Sequence, residues 1–153
     1  MLFRSWGWES VSCEVPADGA YQVRIRALNA DAAPAPCTAL LETRPAATAD
    51  DRKRVRAERL LMETKLEGRV AATAESAMAK GEQAAALWRE IGDAYWEASA
   101  RSEIAGAALT GGKNDRAQQA AAEALASKRR LGDRIGEALA LNRLSPAHVD
   151  RKS

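Results

Sequence analysis

Few residues of this chain have the side chains and the spacing that catalysis or metal binding requires. The sequence contains one histidine, His148, and two cysteines, Cys13 and Cys37. A catalytic nucleophile needs a base within reach and a metal site needs several donors, so this inventory predicts a protein that is not an enzyme and holds no metal or cofactor. The cysteines fall in a strand-like segment, where a cross-strand disulfide and two half-buried thiols are both compatible with the sequence.

A glycine pair near residue 111 superficially resembles a phosphate-binding loop. Such a loop has a glycine six residues before its lysine and a serine or threonine after it. Here Ala107 and Asn114 occupy those two positions around Lys113, and the segment follows a predicted helix rather than a strand. The pattern therefore predicts a turn between two helices.

The charges of the chain are nearly balanced, with 23 Lys and Arg against 21 Asp and Glu. Nucleic-acid-binding domains are usually far more basic, so a nucleic-acid partner is not expected. No apolar run approaches the roughly 20 residues that cross a bilayer, so a membrane is not an expected partner either. The first residues lack the apolar stretch of a signal peptide, which predicts a cytoplasmic chain unless an upstream segment carries an export signal.

The residue pattern changes near Pro45, from strand-like to helical. Before it, Glu9–Val15, Tyr21–Leu28 and Cys37–Thr43 alternate or are bounded by turn residues, which predicts three short antiparallel strands. We therefore expect an α+β fold, mainly α, in which a small β-meander precedes antiparallel helices. The expected domains are the meander at 1–45, a helical array at 46–147 and a polar tail at 148–153.

Five helices are predicted after Pro45, with boundaries set by capping residues and glycines. For the first helix, Val55, Met62 and Leu66 form the expected apolar stripe, with Leu61 beside it. The first predicted helix is capped by Thr48 or Asp50 and runs to Glu67, and the others cover about 74–91, 93–109, 114–132 and 133–144, the last closed by Ser145-Pro146.

An internal repeat is the most informative pattern. Residues 76–104 and 116–144 match at nine of 29 positions when the chain is shifted by 40 residues. The shared pattern Arg-x-x-Gly-Asp-x-x-x-Glu-Ala-x-Ala exceeds what abundant alanine alone would produce. Periods of this size are typical of helical-hairpin arrays, in which each unit packs on the next.

Small residues at Ala105, Ala117, Ala121 and Ala124 follow the spacing of the tetratricopeptide repeat, which this segment resembles. Arg101 departs from that family's pattern, which often has tryptophan there. The chain also resembles bacterial tetratricopeptide proteins associated with the caspase-like CHAT domain, as the end of a pre-peptidase-like β-sandwich followed by about one and a half repeats, without the CHAT domain. The segments that carry this resemblance are VPADGAY at 15–21, VRIRAL at 23–28, RPAATADDR at 44–52, RVRAER at 54–59 and LWREIGD at 87–93.

The resemblance implies a non-catalytic scaffold that binds a protein or peptide in a groove along the first helix of each hairpin. Trp88, Tyr95 and Trp96 either fill the space that alanines leave open or present an aromatic anchor to the partner. The alternatives are a helical module that associates with itself, and a regulatory part of a larger CHAT-protease-type protein. The expected groove residues are Trp96, Ser99, Ser102, Glu103, Gly106, Asn142 and Arg143.

Overall fold

The computed structural model describes residues 11–22, 38 and 40–149, and the helices in it lie between Ala49 and Val149. A single 3-10 turn, Ala71–Thr73, lies between the first two of them. The α-helices are α1 (Ala49–Glu67), α2 (Ala74–Ile91), α3 (Ala94–Thr110), α4 (Asn114–Arg130) and α5 (Arg134–Val149).

Consecutive helices pack against each other as antiparallel neighbours along the whole array. In addition, α1 contacts α3 and α3 contacts α5. The odd-numbered helices therefore form one layer of the array, and α2 and α4 form the other. Because α3 touches every other helix, it is the centre of the described structure.

Alanines make up most of the core, and they let the helices approach closely. Ala77, Ala105 and Ala121 are completely buried, and the largest fully buried side chains are Trp88 and Ile104. Gly81 of α2 shows how tight the contact is, because a Cβ there would lie 2.5 Å from Cγ1 of Ile104. A core of this kind depends on small side chains at the crossings rather than on large ones.

Three glycines with positive φ end α2, α3 and α4 in the same way. They are Gly92, Gly112 and Gly132, with φ of 80°, 70° and 69°, so they recur every 20 residues. The residue after each glycine donates its backbone N–H to a carbonyl five residues earlier, as in Asp93 to Trp88 (2.9 Å). This arrangement closes a helix with a left-handed residue, which glycine adopts without steric cost.

The start of α1 is fixed by a capping box. The Thr48 hydroxyl accepts the N–H of Asp51, and the Asp51 carboxylate accepts the N–H of Thr48 at 2.8 Å. Upstream, Ser12 lies against α1, where it donates its N–H (2.5 Å) and its hydroxyl (3.0 Å) to the carboxylate of Glu58. The chain that precedes α1 thus contacts this helix at Glu58.

The predicted β-meander is wrong. Residues 11–22, 38 and 40–44, the described part of that region, contain no strand. Leu40 and Leu41 are 82% and 73% exposed, so they share no buried face, and a short sheet is stable only when one apolar face is covered. Residues 23–37, including most of the second predicted strand, lie outside the described residues. The mainly-α part of the prediction is confirmed.

Two details of the helices differ from expectation. The last helix continues through Pro146 to Val149, although the sequence predicted an end at Leu144. A helix can pass a proline at the cost of one backbone hydrogen bond. In α1 the buried residues are Ala57, Glu58, Leu61 and Thr64, whereas Leu66 of the predicted stripe is exposed.

Candidate protein-interaction surface

One stripe of α3, between α1 and α5, stays at least partly accessible along its whole length. It begins at Tyr95 and ends at Thr110, and none of its residues is buried. On one side of it, Trp96 packs against the cluster that contains Leu61 of α1. On the other side, Arg143 of α5 reaches α3. We call this surface the α3 stripe; it consists of Tyr95, Ser99, Glu103, Gly106 and Thr110.

Several predicted groove residues lie on this stripe and others do not. Ser99, Glu103 and Gly106 are on it, and Asn142 is exposed on α5. Ser102 is buried, so its hydroxyl does not line an open surface.

At the two ends of the stripe, Tyr95 was considered in the sequence as a possible aromatic anchor, whereas Thr110 was missed. Tyr95 and Thr110 lie four and eleven residues from Ser99, on the same face of a helix. That spacing was the signal that could have identified Thr110.

Arg143 fastens α5 to α3 across one edge of the stripe. Its guanidinium donates to the backbone oxygen of Ser102 at 2.5 Å and to both carboxylate oxygens of Glu103 at 3.2 and 3.3 Å. It also lies directly over Gly106, where any Cβ would overlap its terminal nitrogen. The donor that the sequence assigned to a partner is therefore engaged within the chain, and Gly106 provides the space for it.

A buried lysine lies at the other end of the stripe. The ammonium of Lys128 is 2.9 Å from Oδ2 of Asp133 and 2.9 Å from the hydroxyl oxygen of Ser99. It also lies 3.8 Å from the centre of the Tyr95 ring, a cation–π contact. Lys128 thus joins the end of α4 to both α3 and α5.

The pKa values of two residues beside this lysine, Asp133 and Tyr95, are shifted by their surroundings. Burial raises the pKa of Asp133, but the N–H of Gly136 and the Lys128 ammonium outweigh it, and the pKa lies below its ordinary value. Burial, reinforced by the negative charge of Asp133, raises the pKa of Tyr95. Both shifts favour a fixed charge pattern at this end of the stripe near neutral pH.

The aromatic residues have separate roles. Trp88 is fully buried and stacks on Trp96 with ring centres 5.9 Å apart, so it fills the core. Tyr95 meets the edge of Trp96 at 5.3 Å and remains half-buried on the stripe. Arg54 of α1 covers the Trp88 ring at 5.2 Å.

The residues first considered for chemistry are dispersed. Cys13 is exposed, and Cys37 lies outside the described residues, so the disulfide alternative stays a prediction. Residue 148 falls within the range of α5 rather than in a tail. Lys113 lies in the turn between α3 and α4, with its backbone N–H bonded to Ala108. Within the described ranges, no group of three His, Cys, Asp or Glu residues is arranged to hold a metal ion.

No helix in the described part of the chain is both long and apolar enough to cross a membrane. Comparison of the chain with protein-family models, curated proteins and solved structures finds no match. The description of this protein as an array of antiparallel helical hairpins therefore depends on its own repeat and geometry.

Proposed function

We propose that this protein is a non-catalytic scaffold that binds a peptide or a short helix along the α3 stripe. The observation that carries the proposal is that a central helix, packed on both sides by α1 and α5, keeps one face on which no residue is buried, with the side chains of Arg143 and Lys128 reaching onto it. Helical-hairpin arrays bind partners on faces of this kind. The tetratricopeptide-like pattern of the sequence supports the same function, and the cytoplasmic location stays a prediction.

The stripe has a defined length and polarity. From Tyr95 to Thr110 it covers 15 helical steps, or about 22 Å at the rise of an α-helix. That length matches roughly seven residues of an extended peptide. Its one carboxylate, Glu103, is paired with Arg143, and the hydroxyls of Ser99 and Thr110 bond within the chain. Most of the recognition would therefore come from the half-buried Tyr95 side chain and from packing along the stripe.

Selection from a displayed library of random peptides tests this proposal, followed by titration of an enriched peptide against variants. Thr110→Arg places a long charged side chain on the stripe, and its hydroxyl bonds only to its own helix, at the Gly106 carbonyl. Ala126→Arg is the matched control, because Ala126 is exposed on α4, away from the stripe. We expect Thr110→Arg to weaken binding at least tenfold and the control to leave it unchanged. Absence of enriched peptides, or equal binding to both variants, would overturn the proposal.

A further inference from the structure

The first helix carries a counterpart of the α3 stripe. Three buried residues of α1 recur in α3 with the same spacing, each 41 positions later: Ala57, Leu61 and Thr64 correspond to Ala98, Ser102 and Ala105. By the same shift, Arg54 corresponds to Tyr95, and both lie against a buried residue at the end of the next helix, Trp88 and Lys128 respectively. We call this surface the α1 stripe; it consists of Arg54, Glu58, Met62 and Lys65.

The two stripes differ in burial at one position. Ser99 of the α3 stripe is half-buried, whereas its counterpart Glu58 is buried, with 9% of the residue exposed. Ser12 lies at this position, and it donates its N–H to Oε2 of Glu58 (2.5 Å) and its hydroxyl to Oε1 (3.0 Å). Among residues 11–22, Ser12 alone is half-buried and the others are exposed. The chain that precedes α1 therefore reaches the α1 stripe through this serine.

The chemistry of the contact suits a serine or a threonine in an exposed segment. An ionised carboxylate only accepts hydrogen bonds, and such charge-assisted bonds are stronger than those between neutral groups. Serine and threonine supply two donors from one residue, the backbone N–H and the hydroxyl, so each carboxylate oxygen of Glu58 receives one. Glu14 adds a weak attraction, because its carboxylate lies 3.8 Å from Nε of Arg52 in α1 and both side chains are exposed.

We propose that the segment around Ser12 is an intramolecular ligand of the α1 stripe, held by the carboxylate of Glu58. The array then fills one of its two corresponding stripes with its own chain and leaves the α3 stripe to an outside partner. Few contacts are sufficient, because a segment of the same chain does not lose the translational and rotational freedom that a separate partner loses on binding. The proposal does not depend on the peptide binding proposed for the α3 stripe, since the position of Ser12 is measured without any partner.

Hydrogen exchange of the Ser12 amide, measured by NMR on the full chain, tests the contact with Glu58. We expect this N–H to exchange about tenfold faster in Glu58→Ala than in the wild type, because alanine offers no acceptor. Glu63→Ala is the matched control, because the Glu63 carboxylate of the same helix pairs with Lys80 at 2.9 Å, and it should leave the exchange of Ser12 unchanged. Equal exchange in the wild type and in Glu58→Ala, or equal acceleration in both variants, would overturn the proposal.

Substitution of Ser12 tests the same contact without changing a helix. Ser12→Thr retains both donors, whereas Ser12→Asp places a second carboxylate against Glu58, and like charges repel each other. We expect the heteronuclear NOE of the Cys13 and Glu14 amides, which reports fast backbone motion, to fall in Ser12→Asp and to keep its wild-type value in Ser12→Thr.

Val15→Asp is the control for the added charge, because Val15 is exposed in the same segment, and it should leave the NOE of Cys13 unchanged. Low NOE values in the wild type, or the same fall in Val15→Asp as in Ser12→Asp, would contradict the docking of Ser12. The α1 stripe would then be as accessible as the α3 stripe. A failed peptide selection, in contrast, would argue only against the function proposed for the α3 stripe.

Discussion

The turns between α2 and α3 and between α4 and α5 have the same backbone but different cores. In both, an arginine pairs with a glutamate eight residues later, Arg89 with Glu97 at 2.8 Å and Arg129 with Glu137 at 2.7 Å. In both, an aspartate after the glycine caps the next helix. The buried position four residues before the glycine, however, is Trp88 in one turn and Lys128 in the other.

The residues that pack beside this buried position also differ between the two turns. Beside Trp88 lies Trp96, which stacks on it, whereas the equivalent of Trp96 beside Lys128 is Gly136. A Cβ on Gly136 would come 2.7 Å from Cδ of Lys128, so the lysine stem occupies the space that an indole fills in the first turn. In both turns the glycine and the aspartate determine the path of the backbone. The buried side chains, in contrast, differ together between one turn and the other.

Removing the tryptophan should have the largest effect. Trp88→Ala leaves a cavity beneath Trp96 and Arg54, and we expect the free energy of unfolding to fall by about 3–5 kcal/mol. Urea unfolding followed by circular dichroism measures it. A loss below about 1 kcal/mol would mean that Trp88 is not the core of this turn.

Replacing the lysine should cost less, because its partner retains some contact with solvent. Lys128→Met leaves the Asp133 carboxylate without its ammonium, and we expect a loss of about 2 kcal/mol. The double variant with Asp133→Asn should recover part of that loss, since no unpaired charge remains. A double-mutant cycle in urea gives the coupling. Strict additivity of the two changes would show that the ion pair does not stabilise the fold.

Substitution of the glycine should destabilise both turns equally, because their backbones are similar. Gly92→Ala and Gly132→Ala each force an alanine into a left-handed conformation, and a Cβ at either position meets no atom within 4 Å. The cost is therefore conformational, about 1 kcal/mol in each turn. Thermal unfolding of the two variants should give equal shifts. A large difference between them would contradict a shared backbone geometry.

Acidification should destabilise the turn that contains Lys128 and Asp133, by less than the substitutions above. Because the pKa of Asp133 is lower in the folded chain than in the unfolded one, its contribution is complete above the unfolded pKa. That contribution is lost as the pH falls through the folded value. Asp133→Asn should therefore lose less stability than the wild type between pH 6 and pH 2. The midpoints of urea unfolding at pH 6 and pH 2 measure the loss of stability in each protein. Equal losses in the wild type and in Asp133→Asn would show that Asp133 does not account for the acid sensitivity.

The sequence predicted helix ends well, because local residues determine them. Gly92 and Asp93 mark one boundary by themselves, and of the two caps that the sequence left open for α1, Thr48 and Asp50, the structure uses Thr48. Local signals failed where small side chains form the core. The expected stripe in α1 was chosen for large apolar residues, but the structure buries Ala57 and leaves Leu66 exposed.

The candidate site was only partly predictable, since its contacts join distant parts of the chain. The face that contains Ser99 and Glu103 follows from helical spacing alone. The engagement of Arg143 with α3 does not, because those residues are 40 positions apart and only the packed array brings them together. Local patterning also suggested strands upstream of Pro45 without supplying the covering layer that a sheet requires.

The similar backbone of the two turns has a consequence for how such a gene can change length. Recombination between the codons after Gly92 and after Gly132 would delete 40 residues and rejoin two backbones of the same shape. The shortened protein would place Trp88 beside Gly136, without the stacking ring, and would leave Asp133 without Lys128. We expect such a deletion product to fold poorly, so the divergence of the two buried groups protects the number of repeats against loss.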